Sequence, residues 1–217
     1  VGLFITFEGP EGSGKTTQIQ LLGEWLDRQG HDVLITREPG GTPLGDRIRA
    51  ILLSPEHKDI CPEAEALLFS VARSQLVRQV IRPHLDRGGV VLCDRYADST
   101  LAYQGYGRGL DLAALQAIIA FATGGLWPDL TIYLDLPVEE GLARRRRSAA
   151  LEWNRLDAEQ LAFHQRVREG YLRMAAESPR WLVLDARQSV ESLQQVIRAQ
   201  VARRCKLPIP ASGLRKD

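Results

Sequence analysis

Leu3-Phe4-Ile5-Thr6-Phe7-Glu8-Gly9-Pro10-Glu11-Gly12-Ser13-Gly14-Lys15-Thr16 sets a run of apolar and β-branched residues before a glycine-rich turn, a lysine and a hydroxyl. Its second half fits GxxxxGK[ST], the phosphate loop. The glycines let backbone N–H groups turn inward around a β-phosphate. A helix beginning at Lys15 would add the partial positive charge of its N-terminus. Lys15 would then bridge β- and γ-phosphate oxygens, and the Thr16 hydroxyl would sit on Mg²⁺. Gly9, Pro10, Glu11, Gly12, Ser13, Gly14, Lys15, Thr16 and Thr17 are therefore the candidate ATP-binding segment.

Outward from this loop, short β-branched runs alternate with helical patterns. Leu3–Glu8, Asp32–Thr36, Val90–Asp94, Leu130–Asp135 and Trp181–Asp185 read as five strands. Lys15–Gln29, Pro43–Leu53, Glu63–Ile81, Asp111–Thr123, Val138–Arg147, Glu159–Glu177 and Val190–Cys205 read as helices, the first carrying Ile19, Leu22 and Leu26 on one face. Such alternation predicts an α/β fold with a parallel sheet and right-handed crossovers. Ligands then sit beyond the carboxyl ends of the strands. One domain over residues 1–205 is expected, with a mobile lid at about 144–157 and a loose tail at Lys206–Asp217.

Composition narrows the function. The 217 residues carry a net charge of +1, which gives no general pull toward nucleic acid or a membrane surface. No apolar run approaches the ~20 residues of a membrane helix, and Leu3–Phe7 reads as a strand rather than a secretory leader. Cys61, Cys93 and Cys205 are widely spaced and form no CxxC pair. A disulfide framework or zinc site is therefore not expected, and a reducing cytoplasm fits.

Asp94 ends an apolar strand, where phosphate-loop proteins keep a carboxylate for Mg²⁺ or its waters; by itself it would equally cap a turn. The Asn-Lys-x-Asp signature of a guanine switch is absent, since Asn154 is the only asparagine. A nucleic-acid-dependent ATPase would want a basic groove or further domains. A kinase joining two phosphorylated substrates instead needs arginines converging on them. Arg37, Arg95, the run Arg144–Arg147 and Arg155 stand beside strand ends and the lid. Consecutive helical residues fan out, so one or two of the four in the run would face a ligand. A nucleoside monophosphate has its second pKa near ~6, so its attacking oxygen is already ionised and no general base is required.

Phe7-Glu8-Gly9-Pro10-Glu11-Gly12-Ser13-Gly14-Lys15-Thr16-Thr17, Arg37-Glu38-Pro39-Gly40-Gly41-Thr42, and Asp94-Arg95-Tyr96 with Ser99-Thr100-Leu101-Ala102-Tyr103-Gln104-Gly105 together resemble the bacterial thymidylate kinases. The likeness runs from about residue 3 to about 200. It implies a P-loop nucleoside monophosphate kinase fold with five parallel strands, a homodimer, and ATP·Mg²⁺ with dTMP as substrates. It assigns Arg95 to the acceptor phosphate and Glu11 to the 3′-hydroxyl. Phe69 would stack on the thymine ring and Arg73 would donate to its O4. Ser99, Thr100 and Gln104 would line base and sugar, with Tyr103 closing the space of a 2′-hydroxyl. Asp185 and Arg187 would border the adenine. The lid would supply the catalytic arginine, from Arg144, Arg146, Arg147 and Arg155. Taken alone, Phe69 fits a core position, Arg73 a solvated one, and Glu11 a turn. Other nucleoside monophosphate kinases and deoxynucleoside kinases are the alternatives within the class.

Overall fold

The structure, a computed structural model, describes residues 2–147 and 154–205. Residues 148–153 of the expected lid and the expected tail, 206–217, lie outside the described residues.

Five strands, β1 (Leu3–Glu8), β2 (Val33–Arg37), β3 (Val90–Asp94), β4 (Leu130–Asp135) and β5 (Trp181–Asp185), form one parallel sheet in the order β2-β3-β1-β4-β5. The phosphate loop leaves the central strand, between β3 and β4. Strand β2 runs one residue later than its sequence pattern suggests. Arg37 therefore closes it and pairs in register with Asp94, placing both side chains at the same sheet edge.

Nearly every strand residue of β1, β3 and β4 is buried, as expected of a parallel sheet covered on both faces. On one face Leu3, Ile5 and Phe7 pack against Ile19, Leu22 and Leu26 of α1 (Lys15–Arg28) and Leu193, Ile197 and Val201 of α9 (Val190–Cys205). On the other, Phe4 and Val91 meet Leu76 of α3 (Pro62–Leu76), Val77 and Ile81 beyond it, and Leu115 and Ile119 of α6 (Leu112–Thr123). The period of two along β1 thus divides the core into two layers. Tyr133 and Trp181 extend the second layer onto Phe163, Val167 and Tyr171 of α8 (Leu161–Glu177).

Local chemistry sets the helix boundaries. Helix α2 (Pro43–Leu53) starts with Pro43 at a position where its missing N–H costs nothing, capped by Thr42 Oγ1, which accepts from Gly45 N at 3.0 Å. Helix α3 does not stop at Ile81. It passes through a π-helical turn, Val77–Ile81, into α4 (Arg82–Asp86), with Arg82 N–H reaching back to Val77 O. Pro83 lacks the N–H that would bond four residues back, and the widened turn accommodates its ring.

One helical stretch is absent from the sequence pattern. Helix α5 (Ala97–Thr100) runs on as a π-helical segment, Leu101–Gly107. It is held by Asp98, fully buried, whose carboxylate accepts from Arg180 Nη1 and Nη2 at 2.8 and 2.6 Å. Ser99, Thr100, Tyr103 and Gln104 all project from this pinned segment.

Candidate active site

The carboxyl ends of β1, β2 and β3 open into a cleft of about 850 Å³, the size of a small-molecule site. Its floor is the phosphate loop. Gly12 has φ 76°, and a Cβ there would come within 2.8 Å of Gly141 O. Glycine is therefore needed both for the left-handed turn and for the approach of α7 (Val138–Arg147). Lys15 is buried and donates to Gly9 O at 3.2 Å and Pro10 O at 3.0 Å. Burial pushes its pKa down, Arg95 adds to this, and Glu11, Asp94 and Glu8 oppose it. Ser13 is buried beneath the loop, while Gly14, Thr16 and Thr17 line the cleft.

Thr16 Oγ1 donates to Asp94 Oδ2 at 3.2 Å, joining the start of α1 to the end of β3. A hydroxyl and a single carboxylate fit a Mg²⁺ whose remaining ligands are phosphate and water oxygens. Among the described residues no group of three or more His, Cys, Asp or Glu side chains forms a protein-only cage.

Arg95 follows Asp94 with φ 68°, a left-handed conformation unusual for a side chain of this size. That turn aims its guanidinium back at the phosphate loop. Nη2 donates to Glu11 Oε1 at 2.6 Å, and the guanidinium carbon lies 5.2 Å from the centre of the Tyr103 ring. Burial would raise the Glu11 carboxyl, but Lys15 and Arg95 together hold it far below the usual carboxylate range. Glu11 is therefore an anion fixed between two cations.

Behind Arg95 lies Glu8, fully buried. It accepts from Tyr96 N at 2.8 Å and from Ser99 Oγ and Tyr171 OH, each at 2.7 Å. The far side of the cleft holds Phe69, half-buried, which also packs on the Ile48, Leu52 and Ala72 cluster. Tyr103 stands edge-on to Phe163 and Tyr171, and burial pushes its hydroxyl up to about 12. Thr100 and Gln104 complete this wall, and Arg37 lies at the rim, exposed.

These observations join a nucleotide-phosphate floor to a second, partly aromatic pocket. The family model for thymidylate kinase matches residues 7–197. The chain belongs to the thymidylate kinase family. It is 58% identical over 212 residues to the thymidylate kinase of Roseiflexus sp. (strain RS-1), covering 93% of this chain and 94% of that one. It is 54% identical over 204 residues to that of Deinococcus radiodurans, covering 94% and 98%. Among solved structures, thymidylate kinase from Ehrlichia chaffeensis superposes with a TM-score of 0.73 at 32% identity, covering 91% of this chain and 98% of that one.

Several of the other expected side chains are held by protein partners. Arg73 is 1% exposed and lies behind the cleft wall. Its Nε donates to Glu38 Oε2 at 2.7 Å, Nη1 to Thr100 Oγ1 at 3.0 Å and Nη2 to Tyr96 O at 3.2 Å. These bonds tie α3 to Thr100 in the cleft wall. Arg155 is also buried, donating to Leu52 O and Glu65. Arg146 and Arg147 are exposed on α7. Asp185 and Arg187 pair with each other at the carboxyl end of β5, and Arg144 Nη1 donates to Ala186 O at 3.1 Å between them.

Arg145 was not among the candidates singled out from the run, yet it is the buried arginine there, lining the cleft and donating to Asp157 Oδ2 at 3.0 Å. The signal lay in spacing: Val138, Gly141 and Arg145 form the buried stripe of α7. Arg49, Glu8 and Tyr171 were likewise not singled out as site residues; Arg49 and Tyr171 line the cleft, and Glu8 lies behind Arg95.

Burial raises the Glu8 carboxyl from its ordinary 4.5 to about 7, against the pull of Arg95. Between these values the folded chain keeps a proton that the unfolded chain has released. The stabilisation is complete below about 4.5 and is lost as pH rises through about 7. Glu8→Gln removes this titration. The difference in melting temperature between wild type and variant should therefore move in the variant's favour from pH 5 to pH 7.5. A difference that stays flat across that range contradicts the assignment.

Proposed function

We propose a division of labour among these residues in the phosphorylation of dTMP to dTDP by ATP, the reaction that family membership assigns. The observation that carries it is the Arg95–Glu11 pair, which sets the arginine of the second pocket directly against the phosphate loop. Two phosphates can then be held adjacent while their mutual repulsion is neutralised.

Backbone N–H groups of Gly9–Thr17 cradle the ATP phosphates, and Lys15 follows the migrating phosphoryl group. Thr16 and Asp94 would hold Mg²⁺, which would shield phosphate charge. Arg95 grips the acceptor phosphate, with Arg37 at the rim. Glu11, fixed as an anion, accepts from the 3′-hydroxyl. Phe69 gives the base a stacking face, Ser99, Thr100 and Gln104 line base and sugar, and Tyr103 fills the space of a 2′-hydroxyl. Arg73 acts through Thr100 and Glu38, which it holds, and Asp185 and Arg187 border the adenine side. The acceptor oxygen is already ionised at neutral pH, so positioning and charge neutralisation supply the catalysis.

The chain works as a homodimer in the cytoplasm. Leu67 and Val71, four apart on α3, and Phe121 on α6 leave large apolar side chains about half exposed or more, surface that a second copy would cover. Sedimentation equilibrium at twice the 24.2 kDa chain mass is the test.

An ADP-release assay with dTMP, dUMP, dCMP, AMP, UMP and thymidine separates this reading from other nucleoside and nucleotide kinases. Turnover should be fastest with dTMP and negligible with thymidine, which brings no phosphate to Arg95. Equal turnover with AMP or thymidine would place the acceptor elsewhere.

Single truncations along α7 test the arginine assignment. Arg145→Ala should lower kcat by roughly 100-fold or more, as loss of a group stabilising transition-state charge does. Arg146→Ala and Arg147→Ala should stay within about threefold of wild type, as exposed positions outside the cleft do. Equal, mild losses at all three would remove Arg145 from the chemistry.

A further inference from the structure

Glu65 is a fully buried carboxylate on α3 that none of the roles above uses. It lies where three segments meet. Gln104 Nε2 donates to its Oε1 at 2.7 Å. Arg108 Nε and Nη2 donate to its two oxygens at 3.2 and 3.1 Å. Arg155 Nη2 donates to Oε2 at 2.5 Å, and Arg108 is tied in turn to Glu159 at 2.7 Å. Burial would raise the Glu65 carboxyl, but the bonds from Arg108, Gln104 and Arg155 hold it below its ordinary value. It is a carboxylate, and a carboxylate only accepts.

This has a consequence for Gln104. A glutamine amide has one accepting and one donating end, and its neighbours decide which way it faces. Facing an acceptor-only group, Gln104 must turn its NH₂ toward Glu65. Its carbonyl oxygen is then left for the cleft wall that Gln104 helps to form. Thymine carries a donor at N3, whereas cytosine carries an acceptor there. An oxygen at that place suits the first base and opposes the second.

We propose that Glu65 is a positioning residue for base selection: its carboxylate fixes the direction of the Gln104 amide, so that the cleft accepts thymine and opposes cytosine. This rests on Gln104 facing the base, as assigned above. Arg108 and Arg155 serve the same end by keeping Glu65 ionised and in place. Arg155 also fastens Asn154–Asp157 to α2, through Leu52 O and Leu53 O, so one buried anion supports both the base-reading amide and the last residues of the expected lid.

The test is kcat/KM for dTMP and dCMP, with the KM for ATP, in wild type, Gln104→Ala, Glu65→Gln and Glu65→Asp. In Glu65→Gln the new amide can donate, so Gln104 is free to turn over. The dTMP value should fall by roughly tenfold and the dTMP/dCMP ratio should narrow by a similar factor, the size of one misdirected buried hydrogen bond. The KM for ATP should stay within about twofold, which a general loss of structure would not leave alone. Circular dichroism establishes that the variant is folded. If it is not, Glu65→Asp decides, since it keeps the charge but shortens its reach, and the ratio should again narrow. A folded Glu65 variant that keeps the wild-type ratio while Gln104→Ala loses it overturns the inference and leaves the base-site reading standing. A Gln104→Ala enzyme with the wild-type ratio overturns both.

Discussion

The cleft is governed by the need to hold many cations together before any phosphate arrives. Lys15, Arg49, Arg95 and Arg145 all border it. Two unit charges 4 Å apart interact by about 4 kcal/mol at an effective dielectric of about 20, so such a cluster would not persist unbalanced. The sequence answers with carboxyl groups at fixed places: Glu11 inside the loop and Asp94 at the end of β3, with Glu8, which burial holds toward its neutral form, at the end of β1. Glu11 sits between Lys15 and Arg95 and is held strongly ionised. Glu8 takes its hydrogen bonds from Tyr96 N, Ser99 and Tyr171 and only a long contact, 3.9 Å, from Arg95. The cations are thus restrained without all being quenched, and a polyanion can exchange one set of partners for another.

The same logic explains why the parallel sheet has this order. With β1 in the centre, the loop that follows it is flanked by the ends of β3 and β4. Asp94 and Arg95 come from one side, and α7 with Arg144 and Arg145 from the other. The left-handed φ of Arg95 is the local cost of turning a guanidinium from the end of β3 onto the loop after β1. Asp98, three residues on, is locked by Arg180 from the start of β5. The turn is therefore fixed from across the sheet, and strain at Arg95 is retained because its surroundings leave no alternative.

How much of this was legible depended on whether a residue's role is set by neighbours in the chain or in space. The phosphate loop, the five strands and the start of α1 at Lys15 follow from local pattern, and the structure agrees to within a residue or two at their ends. The helical stretch from Ala97 to Gly107 did not show. It is buried on nearly every side, so it has no apolar stripe, and Gly105 and Gly107 argue against a helix. The continuation of α3 past Ile81 was hidden by Pro83, which ordinarily ends a helix.

Site residues divide in the same way. Lys15, Thr16, Asp94 and Arg95 could be placed at the cleft from local pattern because each sits at a strand end or helix start. Arg73 and Arg155 carry the right chemistry for a ligand, and the structure adds protein partners 35 and 90 residues away, at Glu38 and Glu65. No local pattern distinguishes an arginine that meets a ligand from one that meets a buried glutamate. Within Arg144–Arg147 the side chains are identical, and only the helical phase set by Val138 and Gly141 separates Arg145 from its neighbours. A run of arginines therefore tells a reader that phosphate is near. Which of them is buried against the cleft follows from the small residue that lets the helix approach the loop, and here that residue is Gly141, where a Cβ would meet Glu11 O at 3.0 Å.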